Sequence, residues 1–131
     1  MEETFSREEE QREEKDFPLN LMLRREVLRK KSDFDSLYNK GKSVGERYIV
    51  VFYRNNGLSY NRKAFLASKK VGKSVQRNRA RRLMKESFRQ LSGDCNKGFD
   101  IIFIARNTID GKKEQEVRYS MKNALKKAGI L

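Results

Sequence analysis

The residues able to do chemistry crowd into one stretch. Between Lys69 and Arg89 the chain places Lys69, Lys70, Lys73, Arg77, Arg79, Arg81, Arg82, Lys85 and Arg89, with Asn78 among them and Glu86 as the one acid. A guanidinium presents a planar fork of donors that matches phosphate oxygens, and an ammonium adds a compact point charge. Such a cluster holds polyanions; it does not by itself break bonds. The chain of 131 residues has no His, and Cys95 is its one cysteine. Ser-His-Asp and Cys-His catalysis are therefore excluded, as is a zinc site of about four His and Cys ligands. Asp94, Asp100 and Asp110 read as caps and turns at loop or strand edges, and no carboxylate pair stands out as acid and base. Gly72-Lys73-Ser74 has the ending of a nucleotide-binding P-loop, which needs a Gly five positions before its second Gly. Ala67 stands there instead, and Ser36 does so for Gly41-Lys42-Ser43, so ATP and GTP binding are discounted.

The charge is unevenly spread. The chain carries 31 Lys and Arg against 18 Asp and Glu, a formal +13. Residues 1–16 hold eight acids (Glu2, Glu3, Glu8, Glu9, Glu10, Glu13, Glu14, Asp16) and three bases, a net −5, so the other 115 residues, with 28 bases and 10 acids, carry +18. A field of that strength attracts polyanions. Nucleic acid is the first candidate partner and an anionic membrane surface the second; the plain alternative is a merely soluble basic protein. The longest apolar runs, residues 48–53 and 101–105, fall far below the ~20 residues of a membrane helix. The acidic start lacks the basic and apolar regions of a secretory signal, and a lone Cys closes no internal disulfide. Together these point to a cytoplasmic protein. Residues 1–18 read as an acidic, disordered extension with little to bury, ended by Phe17-Pro18. That extension is either a solvated tail or a weak competitor for the basic surface, and Met22 is an alternative start. Residues 19–131 read as one domain.

The elements that must position the basic cluster follow from periodicity. Ser32 or Asp33 reads as the N-cap of a short helix carrying Phe34, Leu37 and Tyr38, stopped by Gly41. Residues 48–54 and 63–69 read as two strands joined through Asn55-Asn56-Gly57, pairing as an antiparallel hairpin with a long loop. Residues 75–91 form a helix, and residues 99–105 a strand apolar enough for burial on both faces. Residues 114–128 form a last helix with Val117, Met121, Ala124, Leu125 and Ala128 on one stripe. The order α-β-β-α-β-α predicts an α+β fold, a two-layer α-β sandwich. On the wheel of the central helix Ala80, Leu83, Met84, Phe88 and Leu91 share the core arc, and Asn78, Arg81, Arg82, Lys85 and Arg89 the neighbouring one. Arg77, Arg81, Lys85 and Arg89 make an i, i+4 row, each like-charged pair costing an isolated helix ~0.2–0.5 kcal/mol. Cations at the helix N-terminus also oppose its macrodipole. A bound polyphosphate would justify both; a solvated basic face is the alternative.

The run from Ser68-Lys69-Lys70-Val71-Gly72-Lys73 into Arg77-Asn78-Arg79-Ala80-Arg81-Arg82 resembles the signature of the bacterial ribonuclease P protein subunit. The resemblance extends over about residues 23–129, taking in Ser32-Asp33-Phe34, Tyr38, and Asp100 to Arg106. It implies the sandwich of ribosomal protein S5 domain 2, with a left-handed βαβ crossover where the general rule is right-handed. It implies partners, the catalytic RNA and precursor tRNA, with neither membrane nor DNA expected. Catalysis would belong to the RNA subunit, aided by Mg2+ that the protein alone does not bind, and would remove the 5′ leader endonucleolytically. Residue by residue, Arg77, Asn78, Arg79, Arg81 and Arg82 match the RNA-facing motif, flanked by Lys69, Lys70 and Lys73, with Lys85 and Arg89 continuing the row. Phe34, Tyr38 and Phe52 match the leader cleft, with Arg47 and Tyr48 as further candidates. Aromatic faces stack on unpaired bases whatever their sequence, although core packing is the ordinary role of Phe at such spacing. A ribosomal or ribosome-associated RNA-binding protein is the runner-up. A protein-only nuclease is a third reading, for which the folded region offers no acidic cluster.

Overall fold

A computed structural model describes residues 25–131. The acidic residues 1–16, Phe17-Pro18 and Met22 lie outside the described residues. Helix α1 (Lys31–Lys40) leads into strand β1 (Lys42–Gly45), followed by β2 (Ile49–Asn55), β3 (Arg62–Leu66), α2 (Ser74–Leu91), β4 (Phe99–Ala105) and α3 (Glu114–Ala128). Short 3-10 turns at Ser92–Asp94 and Asn107–Ile109 flank β4.

The expected hairpin of β2 with β3 does not form. The sheet order is β1-β2-β4-β3, with β4 antiparallel to β2 and parallel to β3. Strand β4 is the most apolar of the four, and Ile101, Ile102 and Phe103 are wholly buried. Burial on both faces and pairing on both edges satisfies it best in the middle. The loop between β2 and β3 makes room by wrapping around the start of β4. Asn56 N–H donates to the Gly98 carbonyl (2.8 Å), Phe99 N–H to Asn61 Oδ1 (2.8 Å), and Asn61 Nδ2 to the Asn96 carbonyl (2.9 Å). Strand β3 also stops at Leu66 rather than running to 69, because the Ser68–Gly72 turn intervenes, with Val71 N–H on the Ser68 carbonyl at 3.0 Å. Strand β1 has four residues, mostly exposed, at the sheet edge. Lys, Ser and Gly carry little strand signal, so its residues escape a reading by pattern.

Helices α2 and α3 cover one sheet face. Ile49, Val51, Ile101, Phe103 and Ala105 pack there against Ala80, Met84, Phe88 and Leu91 of α2 and Val117, Met121, Ala124 and Leu125 of α3. Leu83 and Ala128, expected in the core, are only partly buried at its margin. Phe65 stacks on Phe103 with centroids 5.2 Å apart, and Phe88 closes on the same ring at 5.1 Å. Helix α1 lies on the other face, where Leu28, Leu37, Ala64 and Ile102 form a second, smaller cluster. Its N-cap is Lys30 rather than Ser32 or Asp33, and it makes no side-chain cap bond. Asp33 instead turns to Arg54 and Arg62 on the sheet. Gly41 ends α1 for want of space: a Cβ there would meet the Leu37 carbonyl oxygen at 2.6 Å and that of Tyr53 at 2.9 Å.

Candidate nucleic-acid interface

Helix α2 turns its basic arc to solvent. Its N-cap Lys73 is extended, its N–H donates to Gln76 Oε1 (2.9 Å), and the first turn contains no acid. The entry depends on Gly72, whose φ of +145° suits glycine and where a Cβ would meet Gln76 Cβ at 2.9 Å. The turn sets the exposed Lys69, Lys70 and Lys73 around the positive end of the helix, a geometry that favours anions. Among the described residues Lys69, Lys70, Lys73, Arg77, Arg79, Arg81, Arg82 and Lys85 form no ion pair. Their anchors are neutral: Arg77 Nη2 donates to Ser74 Oγ (3.1 Å), and Arg81 to Asn78 Oδ1. Arg79 stands apart from the row, on the flank facing α3, where it reaches the Lys112 carbonyl at 3.5 Å. Arg89 differs as well, since Glu86 accepts from its Nη2 at 2.6 Å. The face is thus a set of largely uncompensated cations, of which Arg77 and Arg81 are anchored.

The predicted cleft lies on the opposite face of the sheet, beside α1. Phe34, Leu37 and Tyr38 share one side of that helix. Leu37 is wholly buried, while the Tyr38 ring meets Phe52 edge-on, with centroids 5.1 Å apart and planes at 88°. Tyr38 remains 41% exposed, and burial of the rest of the ring pushes its phenol pKa up, so the hydroxyl stays a neutral donor. Phe34 and Phe52 are half-buried against the small cluster of Leu28, Leu37, Ala64 and Ile102. Phe34 also lines a groove of about 820 Å³ at the β3 edge, whose other wall carries Lys85, Phe88 and Arg89 of α2. Arg47 and Tyr48 do not belong here. Tyr48 is buried in the α2–α3 core beneath the Lys112 ammonium, with its N–H on Ser120 Oγ at 3.5 Å, and Arg47 is exposed beside it.

Asp100 is a correction of chemistry rather than place. Its side chain is wholly buried in β4, directly between Arg54 of β2 and Arg62 of β3. Arg62 donates Nε to Oδ1 and Nη2 to Oδ2, both at 2.8 Å; Arg54 reaches Oδ2 at 3.3 Å, and Asn56 Nδ2 reaches Oδ1 at 2.9 Å. Desolvation opposes the charge, but the hydrogen bonds from Arg62 and Asn56, the Arg62 charge and the Arg54 bond outweigh it and hold the Asp100 carboxyl below its ordinary value. From above, Asp33 approaches Arg62 (3.5 Å) and Arg54 (3.6 Å), and Ser36 accepts from Arg54. This network pins α1 to the sheet and so fixes the cleft. The signal for it was one acid inside an apolar run; its partners were not readable locally.

A mixed α+β fold with a solvated, mostly unpaired cationic helix on one face of the sheet and an aromatic cleft on the other defines a nucleic-acid-binding protein. More narrowly, the chain belongs to the ribonuclease P protein family, whose model, described as Ribonuclease P, matches residues 22–129. It is 43% identical over 103 residues to the ribonuclease P protein component of Caldanaerobacter subterraneus, covering 79% of this chain and 89% of that protein. It is 42% identical over 109 residues to that of Clostridium botulinum, covering 82% and 98%. A Staphylococcus aureus RNase P protein mutant with defective mRNA degradation activity superposes with a TM-score of 0.79 at 32% identity, covering 86% of this chain and 95% of that one. Membership makes the chain a protein subunit of the ribonuclease P ribonucleoprotein, an endoribonuclease, and a partner of ribonuclease P RNA. The matches favour this over the ribosomal reading. Among the described residues no helix is long and apolar enough to cross a membrane.

Proposed function

We propose that the chain is the non-catalytic subunit of ribonuclease P, binding the catalytic RNA through α2 and the single-stranded 5′ leader of precursor tRNA through the cleft beside α1. The observation that carries this reading is the α2 face with the turn before it, where Lys69, Lys70, Lys73, Arg77, Arg81, Arg82 and Lys85 have no ionic partner among the described residues. Phosphates supply the missing charge. The exposed Tyr38 ring and the half-buried Phe52 ring, at the edge of the small cluster, offer a platform for unpaired bases, and such stacking is worth ~1–3 kcal/mol per base. Holding leader and catalytic RNA together turns loose encounters into productive geometry.

In this reading the RNA subunit, with Mg2+, cuts the phosphodiester, and the complex works in the cytoplasm. The protein contributes charge, which lowers the magnesium needed to fold and engage the RNA.

The test is cleavage of a 5′-extended precursor tRNA at limiting magnesium, with a bacterial ribonuclease P RNA, the protein, or both. Cleavage at the mature 5′ end that requires both parts is expected. Binding to the RNA without any gain in cleavage returns the ribosomal reading to the front. Cleavage by the protein alone moves the active site onto the protein. Affinity for the catalytic RNA should also fall steeply with salt, by roughly 0.7–0.9 in log–log slope per phosphate neutralised.

A further inference from the structure

The chain has two strongly charged regions of opposite sign. One is the α2 face. The other is residues 1–16, with eight acids and three bases. The family match begins at residue 22. The Caldanaerobacter and Clostridium relatives are matched over 89% and 98% of their own length but over only 79% and 82% of this chain. The acidic segment therefore lies outside what the chain shares with them.

The described fold begins beside α2. The Arg25 guanidinium lies over the Tyr60 ring, 4.2 Å from its centroid. Residues 26–28 then run along the outer edge of β3: Lys63 N–H donates to the Glu26 carbonyl and Leu28 N–H to the Lys63 carbonyl, both at 2.9 Å. Glu26 and Tyr60 line the same groove as Lys85 and Arg89. The chain thus enters the fold at a groove whose far wall is the C-terminal half of the basic row.

Length and charge fit as well. Residues 17–24 span at most about 26–29 Å when extended. The row from Arg77 to Arg89 rises about 18 Å. A short tether of this kind holds its cargo at an effective concentration on the order of millimolar. Acids laid along the row would also relieve its like-charge repulsion.

We propose that residues 1–16 dock on the exposed basic face of α2, from the groove bordered by Glu26, Tyr60, Lys85 and Arg89 toward Arg77, as an internal stand-in for RNA phosphate. Any polyanion must displace the segment first. Weak encounters and cognate RNA lose the same factor in affinity, which suppresses the former and leaves a tight complex formed. The competition rests on the RNA reading of α2; the docking does not.

Two measurements on the full chain separate these parts. In the first, Ser6→Cys carries a paramagnetic label, Cys95 being buried. Backbone amide signals from Arg77 to Arg89 should broaden more than those of Lys122 and Lys126 on α3. The preference should vanish near 1 M salt, where the screening length is about 3 Å. Uniform broadening overturns the docking. Broadening that grows with protein concentration also overturns it, since the segment would then sit on a second copy. In the second, Glu8→Gln, Glu9→Gln, Glu10→Gln, Glu13→Gln and Glu14→Gln are combined and binding to a short oligouridylate is measured. A segment docked between half and nine-tenths of the time predicts a gain of roughly two- to tenfold at low salt, lost at high salt. Preferential broadening without that gain would overturn the competition and count against α2 as the RNA face, while the docking stood.

Discussion

Two groups of arginines in this molecule look alike in sequence and are handled in opposite ways. Arg54 and Arg62 converge on a buried carboxylate, Asp100, with Asp33 closing over them. Arg77 and Arg81 rest on Ser74 and Asn78, which bring no charge. In the first group the register of three strands delivers the anion, since Arg54 and Arg62 both lie opposite Asp100. In the second no anion is delivered by the described residues, which leaves these cations to solvent or, in the proposed reading, to RNA phosphate. Internal compensation marks cations that build the fold; in the proposed reading its absence marks cations kept for a partner. The two groups still depend on each other. The first fixes α1, and α1 presents the cleft that, in the proposed reading, complements the second.

The two groups of arginines differ most at Asp100. Asp100→Ala leaves two guanidiniums against a vacated site, and breaking a buried pair costs about 3–5 kcal/mol. The lower end is expected, because the Arg54 and Arg62 side chains stay 27% and 23% exposed and keep some hydration. Urea denaturation reads the loss as a lower midpoint at unchanged m-value. A loss under about 1 kcal/mol, the range of exposed pairs, would mean that the two arginine groups do not differ in kind. The pH dependence gives a second reading. The Asp100 carboxyl is held below its ordinary value, so its contribution is full above the unfolded value of about 3.9 and is lost as pH falls through the lower folded value. Wild type should lose stability on acidification through that window more steeply than Asp100→Asn.

The two groups also differ in how far sequence could read them. The α2 row was legible because its signals are local: core spacing and cation spacing both run at the helical period along one segment. Strand β4 was legible as a run of apolar residues. The arginine–aspartate network was not, since its members lie 46 and 38 positions apart and meet only once β4 sits between β2 and β3. A hairpin is the local default for two neighbouring strands, and it loses here to the need of β4 for two partners. Phe34 and Phe52 are cleft positions only by the family resemblance; spacing alone reads them as core, and their half-burial against the small cluster shows how close the two readings lie. Tyr48 went the other way, with the composition of a cleft residue and the burial of a core one.

Smaller effects sharpen the contrast. Tyr38→Ala should weaken binding of the 5′ leader by about 1–3 kcal/mol for a base it stacks, measured by comparing precursor tRNA with mature tRNA on the assembled complex. Mature tRNA affinity should not move; an equal loss on both would place Tyr38 outside the cleft. Arg81→Ala should reduce the log–log salt slope for the catalytic RNA by about 0.7–0.9, one phosphate contact. Its stability should hold or rise slightly, because two like-charged i, i+4 spacings, to Arg77 and to Lys85, are relieved at ~0.2–0.5 kcal/mol each. A loss of stability would show that Arg81 serves the fold after all.

The smallest expected effect lies at the boundary between the groups. Arg89 stands on the α2 row but has its own anion: Glu86 accepts from its Nε at 3.0 Å and Nη2 at 2.6 Å, and also from Gln90 at 3.1 Å. The hydrogen bond from Arg89 is the main reason the Glu86 carboxyl is held below its ordinary value. Both side chains are well exposed, so the pair contributes little to stability but withdraws one cation from the face. Arg89→Ala should therefore change the salt slope less than Arg81→Ala. Glu86→Gln should release Arg89, steepening the slope by less than one phosphate contact, and in that background Arg89→Ala should match Arg81→Ala. Wild type, Arg89→Ala, Glu86→Gln and the combined variant close a double-mutant cycle whose coupling term isolates the ion pair. If Arg89→Ala and Arg81→Ala are already equal with Glu86 in place, an exposed intrahelical acid does not compensate a cation, and burial rather than pairing separates the two groups of arginines.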